Sequence, residues 1–331
     1  MRIAVIGAGI MGSNHARVLS KMKNVDIAIS DVNRARVDEV ANTFDIGSVY
    51  DDHTRMLKDG ADGVIVAVPS NIHRNIFDEC IDAGVPVLVE KPMAENLADA
   101  VGMIEKAQGS GVPFTVGHVE RFNPVVSKIK SIIGELGDIY LVNTVRAGPF
   151  PKRLYGMRGG VLVDLAVHDV DIIEHLLGNI EEVYSQIIRS GAQEIYAKAL
   201  LRIGKINGSS EFSWVSPKRT RTIEIYGTNG MLRGDYYQQI LQFYENPDSI
   251  DMPASSNLFE DILLRGNISE GKLINYPIKK DEPLKLELQN FIDTIKGREE
   301  FLVKPQEALD ALKVTLSILE SGKNGKPVTV R

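Results

Sequence analysis

Lys91 stands between Glu90 and Pro92 at the end of the apolar run Pro86-Val87-Leu88-Val89. A lysine at the carboxyl end of a buried strand faces the crevice in which open α/β sheets hold their ligands. Proline behind it stops the strand, so the ammonium projects from a fixed edge and is placed for proton or alkoxide chemistry. A second reactive pair lies in Gly159-Gly160-Val161-Leu162-Val163-Asp164-Leu165-Ala166-Val167-His168-Asp169-Val170-Asp171. Asp164 and His168, four apart on a helix, share a face, with Asp171 near the same stripe. Histidine serves as a base near neutral pH when a carboxylate orients it. Read alone, each has a bland alternative: a snorkelling lysine and a locally stabilised helix pair. His175, farther along, reads as structural.

The residues that position such groups begin at the N-terminus. Arg2-Ile3-Ala4-Val5-Ile6 reads as a strand and runs into Gly7-Ala8-Gly9-Ile10-Met11-Gly12 and an apolar-periodic helix. Strand, Gly-x-Gly-x-x-Gly, helix is the order that dinucleotide binding requires. The first glycine makes the turn, the second admits the pyrophosphate to the backbone, and the third packs helix on strand. A second strand, Val25–Ser30, ends at Asp31, close to the offset of about 20 residues expected of the acid that accepts from the ribose hydroxyls. A carboxylate there repels a 2′-phosphate, so NAD is favoured over NADP; Arg34 and Arg36 could soften that rule.

Strands and helices then alternate. Helix Arg34–Phe44, Ser48-Val49-Tyr50, the run Gly63–Val68, helix Ile72–Ala83, strand Pro86–Val89, helix Leu97–Gln108 and strand Val112–Val116 imply a parallel sheet covered on both faces. Its ligand edge gathers Gly7, Asp31, Val68-Pro69, Lys91 and Gly117-His118. The fold class is therefore α/β, with a Rossmann-type domain over 1–120. From 121 to 331 the pattern changes to Asp138–Val145, Glu182–Arg189, Ile195–Ile203, Asn207–Trp214, Thr220–Tyr226, Met231–Arg233 and Ile240–Tyr244. These are successive hairpins of a mostly antiparallel sheet, followed by a polar excursion over Asn246–Gly271 and helices Leu284–Ile295 and Pro305–Ser321.

Composition bounds the remaining possibilities. The chain has 331 residues, 44% hydrophobic and 25% charged, enough for about two domains with substantial cores. Its net charge of −6 argues against nucleic-acid or anionic-membrane partners. No apolar run approaches a membrane span, and the first residues enter a strand directly. The single Cys80 excludes an internal disulfide and suits a reducing cytoplasm. No Cys-x-x-Cys or His-Glu-x-x-His pattern points to zinc, so no metal is expected.

Taken in order, Gly7-x-Gly9-x-x-Gly12, Val68-Pro69-Ser70-x-x-His73, Glu90-Lys91-Pro92 and Gly159-Gly160-x-x-x-Asp164-x-x-x-His168 resemble the glucose–fructose oxidoreductase/inositol dehydrogenase (Gfo/Idh/MocA) family across essentially the whole chain. The resemblance implies an NAD(P)-binding Rossmann domain, a C-terminal α/β domain with a large open sheet, and dimers or tetramers assembled through that sheet. It also implies that Lys91, Asp164 and His168 occupy the catalytic positions. His168 would exchange the hydroxyl proton of a sugar carbinol and Lys91 would hold the same oxygen, or the two roles would be reversed. Asp164 would orient Lys91 or a substrate hydroxyl. The cofactor would lie along Gly7, Gly9, Ile10, Met11, Gly12, Asp31, Val68, Pro69, Ser70, Asn71 and His73, with Glu90, Lys91 and His118 at the nicotinamide end.

Substrate recognition points to two segments. Arg146–Arg158 carries Arg146, Lys152, Arg153 and Arg158 and no acid, and Gly117-His118-Val119-Glu120-Arg121-Phe122-Asn123-Pro124 adds Arg121. Arginines in loops suit phosphate. The Gly-His-x-Glu-Arg-Phe-Asn-Pro wording also resembles nucleotide-sugar members acting on UDP-N-acetylglucosamine. His118, Arg121, Arg153 and Arg158 are thus candidate substrate ligands. The leading expectation is oxidation of a UDP-amino sugar, with a free polyol or aldose as the alternative and a non-catalytic NAD sensor as a third.

Overall fold

The structure, a computed structural model, describes residues 1–150, 160–246 and 271–330. Strands β1 (Arg2–Ile6), β2 (Asp26–Ser30), β3 (Ser48–Tyr50), β4 (Gly63–Val66), β5 (Val87–Glu90) and β6 (Phe114–Gly117) form a parallel sheet in the order β3-β2-β1-β4-β5-β6. Order reverses beside β1, between β2 and β4, which opens the crevice where such sheets take ligands. Helices α1 (Ile10–Leu19), α2 (Arg34–Phe44), α3 (His53–Lys58), α4 (His73–Asp82) and α5 (Leu97–Ser110) connect the strands. Alternate residues of β1 serve two cores: Ile3 and Val5 pack with α1 and α2, Ala4 and Ile6 with α4 and α5. A strand buried on both faces must be apolar throughout, which is why this half of the sequence lacks in–out alternation.

The second sheet has nine strands among the described residues, in the order β14-β13-β12-β11-β7-β10-β9-β8-β15. They are β7 (Ile139–Pro149), β8 (Glu182–Ser190), β9 (Gln193–Ile203), β10 (Ile206–Ser213), β11 (Val215–Gly227), β12 (Gly230–Asp235), β13 (Ile240–Glu245), β14 (Leu273–Tyr276) and β15 (Val328–Thr329). Pairing is antiparallel except between β7 and β10. One face is covered by α6 (Pro124–Ile132), α7 (Val167–Leu177) and α9 (Pro305–Asn324), over a core that includes Val142, Phe212, Ile223 and Ile318. The other face leaves Ile188 and Leu200 more than half exposed.

The chain then returns to its beginning. Helix α8 (Pro283–Ile295) buries Leu284, Leu288, Phe291 and Ile292 beside Ile3, Val5 and Ala16. Val303, Ala308, Leu309 and Leu312 complete the opposite core. A boundary at residue 120 therefore separates the two sheets but not the packing units. Helix α6, β14 and β15 were not anticipated from sequence, and the excursion expected over Asn246–Gly271 lies almost wholly outside the described residues.

Candidate active site

The glycine turn has the geometry its spacing predicts. Gly7 takes φ +101°, a left-handed conformation, and a Cβ there would strike the Ala67 carbonyl. At Gly12 a side chain would collide with the Gly7 carbonyl, whereas one at Gly9 would meet only open space. Gly9 caps α1 with no side-chain hydrogen bond, and no acid occupies the first turn. The helix N-terminus thus keeps its N–H groups free for an anion. It opens on a cavity of about 530 Å³ lined in part by Gly7, Gly9, Ile10, Met11, Asp31, Val68, Pro69, Glu90 and Lys91. Asp31 Oδ2 accepts the Ala8 N–H at 2.7 Å and Oδ1 accepts the Asn33 N–H at 2.8 Å, which holds its carboxylate at the rim. A cradle that a Cβ would fill, free helix amides and a rim carboxylate fit a dinucleotide.

Four expected cofactor contacts, Gly12, Ser70, Asn71 and His73, do not line this cavity. His73 is 1% exposed and bridges the Val68 carbonyl, 2.9 Å from Nε2, to the Pro92 carbonyl, 3.1 Å from Nδ1. It ties together the two loops that border the groove. Half-buried Ser70 and exposed Asn71 begin a 3-10 turn, and Ser70 lines a smaller neighbouring cavity. Sequence reading also passed over Asp51, His53, Ile72 and Ile76, which do line the groove.

Lys91 projects from the end of β5 toward the helical segment that carries Asp164 and His168. Its Nζ donates to the Asp164 carbonyl oxygen at 2.9 Å and to Asp164 Oδ1 at 3.3 Å. An ammonium has three donors, so one is left for a substrate oxygen. Asp164 lies in a π-helical turn, Leu162–Ala166, that runs directly into α7. Wide turns of this kind recur at functional sites because they shift side chains out of the α-helical register. Gly160 lets this entry pack against Glu194, which a side chain would strike; Gly159 lies outside the described residues.

His168 takes no hydrogen bond from Asp164. Its Nδ1 is buried and has no hydrogen-bond partner among the described residues. Burial, followed by the charges of Lys91, Arg146 and Arg221, holds its pKa well below the ordinary 6.5, so the ring is neutral at physiological pH and can take up a proton. Asp164 engages Lys91, one of the two roles expected of it. Asp171, expected on the reactive stripe, is 1% exposed and faces inward.

The same inward side claims two expected substrate ligands. Arg121 is 2% exposed, with Nη2 2.7 Å from Asp171 Oδ1 and Nη1 2.6 Å from Glu307 Oε2. His118 is 1% exposed, its Nδ1 lying 3.6 Å from Asp171 Oδ1. Neither lines the groove: the buried Asp171 carboxylate holds the Arg121 guanidinium, and burial lowers the pKa of His118 and favours its neutral form. Arg146 is likewise internal, bonded to Asp169 and Glu120. Burial works against its charge, yet those carboxylates outweigh it and raise its pKa. Arg153 and Arg158 lie outside the described residues.

Two residues in this region were missed. His15 of α1 bonds Glu90 Oε1 through Nε2 at 2.7 Å and anchors the carboxylate next to Lys91. Burial favours the neutral form of Glu90, but the His15 bond and charge, with Lys91, hold its pKa below the usual range. A histidine on the inner face of a helix calls for a polar partner, and that was the available signal. Arg221 of β11 approaches from the second sheet; no local pattern marked it.

Comparison with known proteins agrees with this architecture. Residues 1–118 match the oxidoreductase family with the NAD-binding Rossmann fold (GFO_IDH_MocA), and residues 127–233 match the GFO/IDH/MocA C-terminal domain. The chain belongs to that family and is an NAD-binding oxidoreductase of the sugar and polyol class. It is 28% identical over 345 residues to the scyllo-inositol 2-dehydrogenase (NAD(+)) of Bacillus subtilis, covering 99% of this chain and 96% of that one. It is 29% identical over 255 residues to the myo-inositol 2-dehydrogenase of Thermotoga maritima, covering 71% and 75%. The UDP-N-acetylglucosamine 3-dehydrogenase GnnA of Acidithiobacillus ferrooxidans shares the fold with TM-score 0.85 at 20% identity, covering 98% of both chains. The WlbA dehydrogenase of Bordetella pertussis, solved with NADH and UDP-GlcNAcA, does so with TM-score 0.83 at 23% identity, covering 100% and 98%.

Proposed function

We propose that the protein oxidises a ring hydroxyl of a nucleotide-linked amino sugar, UDP-N-acetylglucosamine or a near relative, to a ketone. The observation that carries the chemistry is Lys91, lining the groove and held by Asp164, with His168 close enough to feel the lysine's charge. NAD, when bound along Gly7, Gly9 and Asp31, would supply the acceptor for the hydride of the carbinol carbon. His168 takes the hydroxyl proton, and the free N–H of Lys91 stabilises the oxygen as negative charge develops on it. Asp164 fixes the lysine through main chain and side chain together. The products are the ketone, NADH and a proton on His168 that passes to solvent. Glu90, anchored by His15, borders the same end of the groove.

The substrate reading is supported by the Gly117–Pro124 segment and by the UDP-sugar enzymes that share the fold. A second reading, oxidation of inositol or another polyol, is favoured by the named inositol dehydrogenases among the sequence relatives. NADH formation with UDP-N-acetylglucosamine and with myo-inositol, measured side by side, separates them. Efficient turnover of the polyol alone would replace the first reading with the second. We further place assembly of a homodimer or homotetramer on the outward face that exposes Ile188 and Leu200, and the protein in the cytoplasm, where the buried Cys80 thiol stays reduced. Sedimentation at several concentrations tests the assembly.

A further inference from the structure

Arg146 on β7 and Arg221 on β11 are direct register partners on antiparallel strands. Strand alternation points both inward: Val142, Thr144 and Arg146 are buried on β7, and Arg221 shares its face with the buried Ile223 and Ile225 on β11. Like charges directly opposite destabilise a sheet, and the cost grows as they leave water. The arrangement is sited at the reactive helix, for Asp169, which binds Arg146, directly follows His168.

The two arginines are not equally satisfied. Asp169 Oδ1 accepts Nε and Nη2 of Arg146 at 3.0 and 2.8 Å. Glu120 Oε1 is shared, accepting Nη1 of Arg146 at 3.1 Å and Nη1 of Arg221 at 3.2 Å. Arg146 is thus enclosed by two carboxylates, whereas Arg221 has half of one. The Arg221 side chain is 42% exposed, and Nε and Nη2 have no partner among the described residues. Burial and the Arg146 charge lower its pKa, a strain that a second anion would relieve. A planar guanidinium with two adjacent free donors matches the paired oxygens of a carboxylate or phosphoryl group.

We propose that Arg221 receives an anionic substituent of the sugar, a carboxylate or phosphoryl group, beside the carbon that loses its hydride. Arg221 is then a specificity-determining residue, selecting acidic over neutral sugars. The inference rests on the groove being a sugar dehydrogenase site, but not on the substrate carrying a nucleotide.

The test compares the unmodified protein with Arg221→Gln and Arg221→Lys, each loaded with NAD. Four probes are used: UDP-N-acetylglucosamine, its 6-carboxylate analogue, free glucuronate and myo-inositol. Turnover gives the ratio of kcat/KM for anionic over neutral sugars, and calorimetry gives binding where turnover is slow. One charge-assisted contact is worth about 10- to 150-fold in affinity. Arg221→Gln is expected to lower the anionic-to-neutral ratio by that factor, chiefly through KM, with partial recovery in Arg221→Lys. Loss restricted to the two carboxylate sugars identifies the carboxylate as the ligand; loss on both UDP-sugars but not on glucuronate identifies the phosphate. Dependence on Arg221 for glucuronate without use of any UDP-sugar would keep the inference and remove the nucleotide reading. A ratio that stays within about 2-fold, equal loss on all four probes, or failure of every anionic sugar to bind the unmodified protein would overturn it.

Discussion

Lys91 meets Asp164 twice, through the carbonyl oxygen at 2.9 Å and the carboxylate at 3.3 Å. A lysine held at two points keeps its position when one is lost, so the two residues differ in what their removal does. Lys91→Ala removes the group itself and is expected to lower kcat by at least about 10²-fold, the scale of a positioned acid–base group. Asp164→Asn keeps the main-chain contact and should cost less, within about 10-fold. NAD affinity, read by calorimetry, should move little in both. Equal and large losses in the two variants would mean that the carboxylate itself touches substrate.

The pH dependence follows from His168. The base works when unprotonated, and burial together with Lys91, Arg146 and Arg221 keeps its pKa well below 6.5. Oxidation should therefore hold its rate as pH falls through 6.5 and decline only below it. Arg221→Gln removes one of those charges and should move the midpoint upward, toward the ordinary value. The imidazole proton resonance of His168, followed by NMR against pH, measures both. A midpoint at or above 6.5 in the unmodified protein would contradict the site's electrostatics.

Cofactor choice is testable at Asp31. Its carboxylate should accept from the ribose hydroxyls and disfavour a 2′-phosphate, so Asp31→Ala should weaken NAD by about 10-fold or more and narrow its advantage over NADP. Part of that loss comes from the turn, because Asp31 also holds the Ala8 and Asn33 amides. Titration of the unmodified protein showing tighter NADP would reverse the assignment.

Glu287 offers a test of stability. It is 2% exposed and neither carboxylate oxygen has a hydrogen-bond partner among the described residues. Burial, then the nearby Glu90 charge, raises its pKa well above 4.5. The folded chain keeps a proton that the unfolded chain gives up once pH exceeds the ordinary carboxylate value. Stability from this position is therefore full below about that pH and declines as pH rises toward the folded pKa. Glu287→Met should stabilise by roughly 1–3 kcal/mol at pH 8 and by less at pH 5. Melting temperatures across that range decide it; a pH-independent effect would show that Glu287 does not titrate as described.

The parts of this molecule readable in sequence are those whose cause is local. Gly7, Gly9 and Gly12 carry their geometry in their spacing, and Ile3–Ile6 and Val64–Val66 announce burial on both sides. Lys91 and Asp164 stood out because a strand end and the ordered motifs mark them, and the two do meet in the fold. What was hidden depends on partners far away in the chain. Arg121 looked like a phosphate ligand until Asp171 and Glu307, 50 and 186 residues on, proved to enclose it. Arg221 gains its meaning only from register with Arg146, and the π-helical turn at Leu162–Ala166 leaves no pattern distinct from an α-helix.

The return of α8 and the start of α9 to the first sheet has a consequence for synthesis. A ribosome completes residues 1–120 long before Phe291, Phe301, Val303 and Leu309 exist, yet all four are buried in the cores of that first layer. Losing one such aromatic alone costs about 3–5 kcal/mol, a large share of the stability of a typical domain. The nascent dinucleotide-binding layer is therefore expected to keep apolar strand faces uncovered until Leu312 has emerged. An isolated 1–120 fragment should bind a hydrophobic dye and lack a cooperative melt, and adding 283–312 in trans should quench the dye. The first and last parts of this sequence thus share one pair of cores and are expected to fold as one unit.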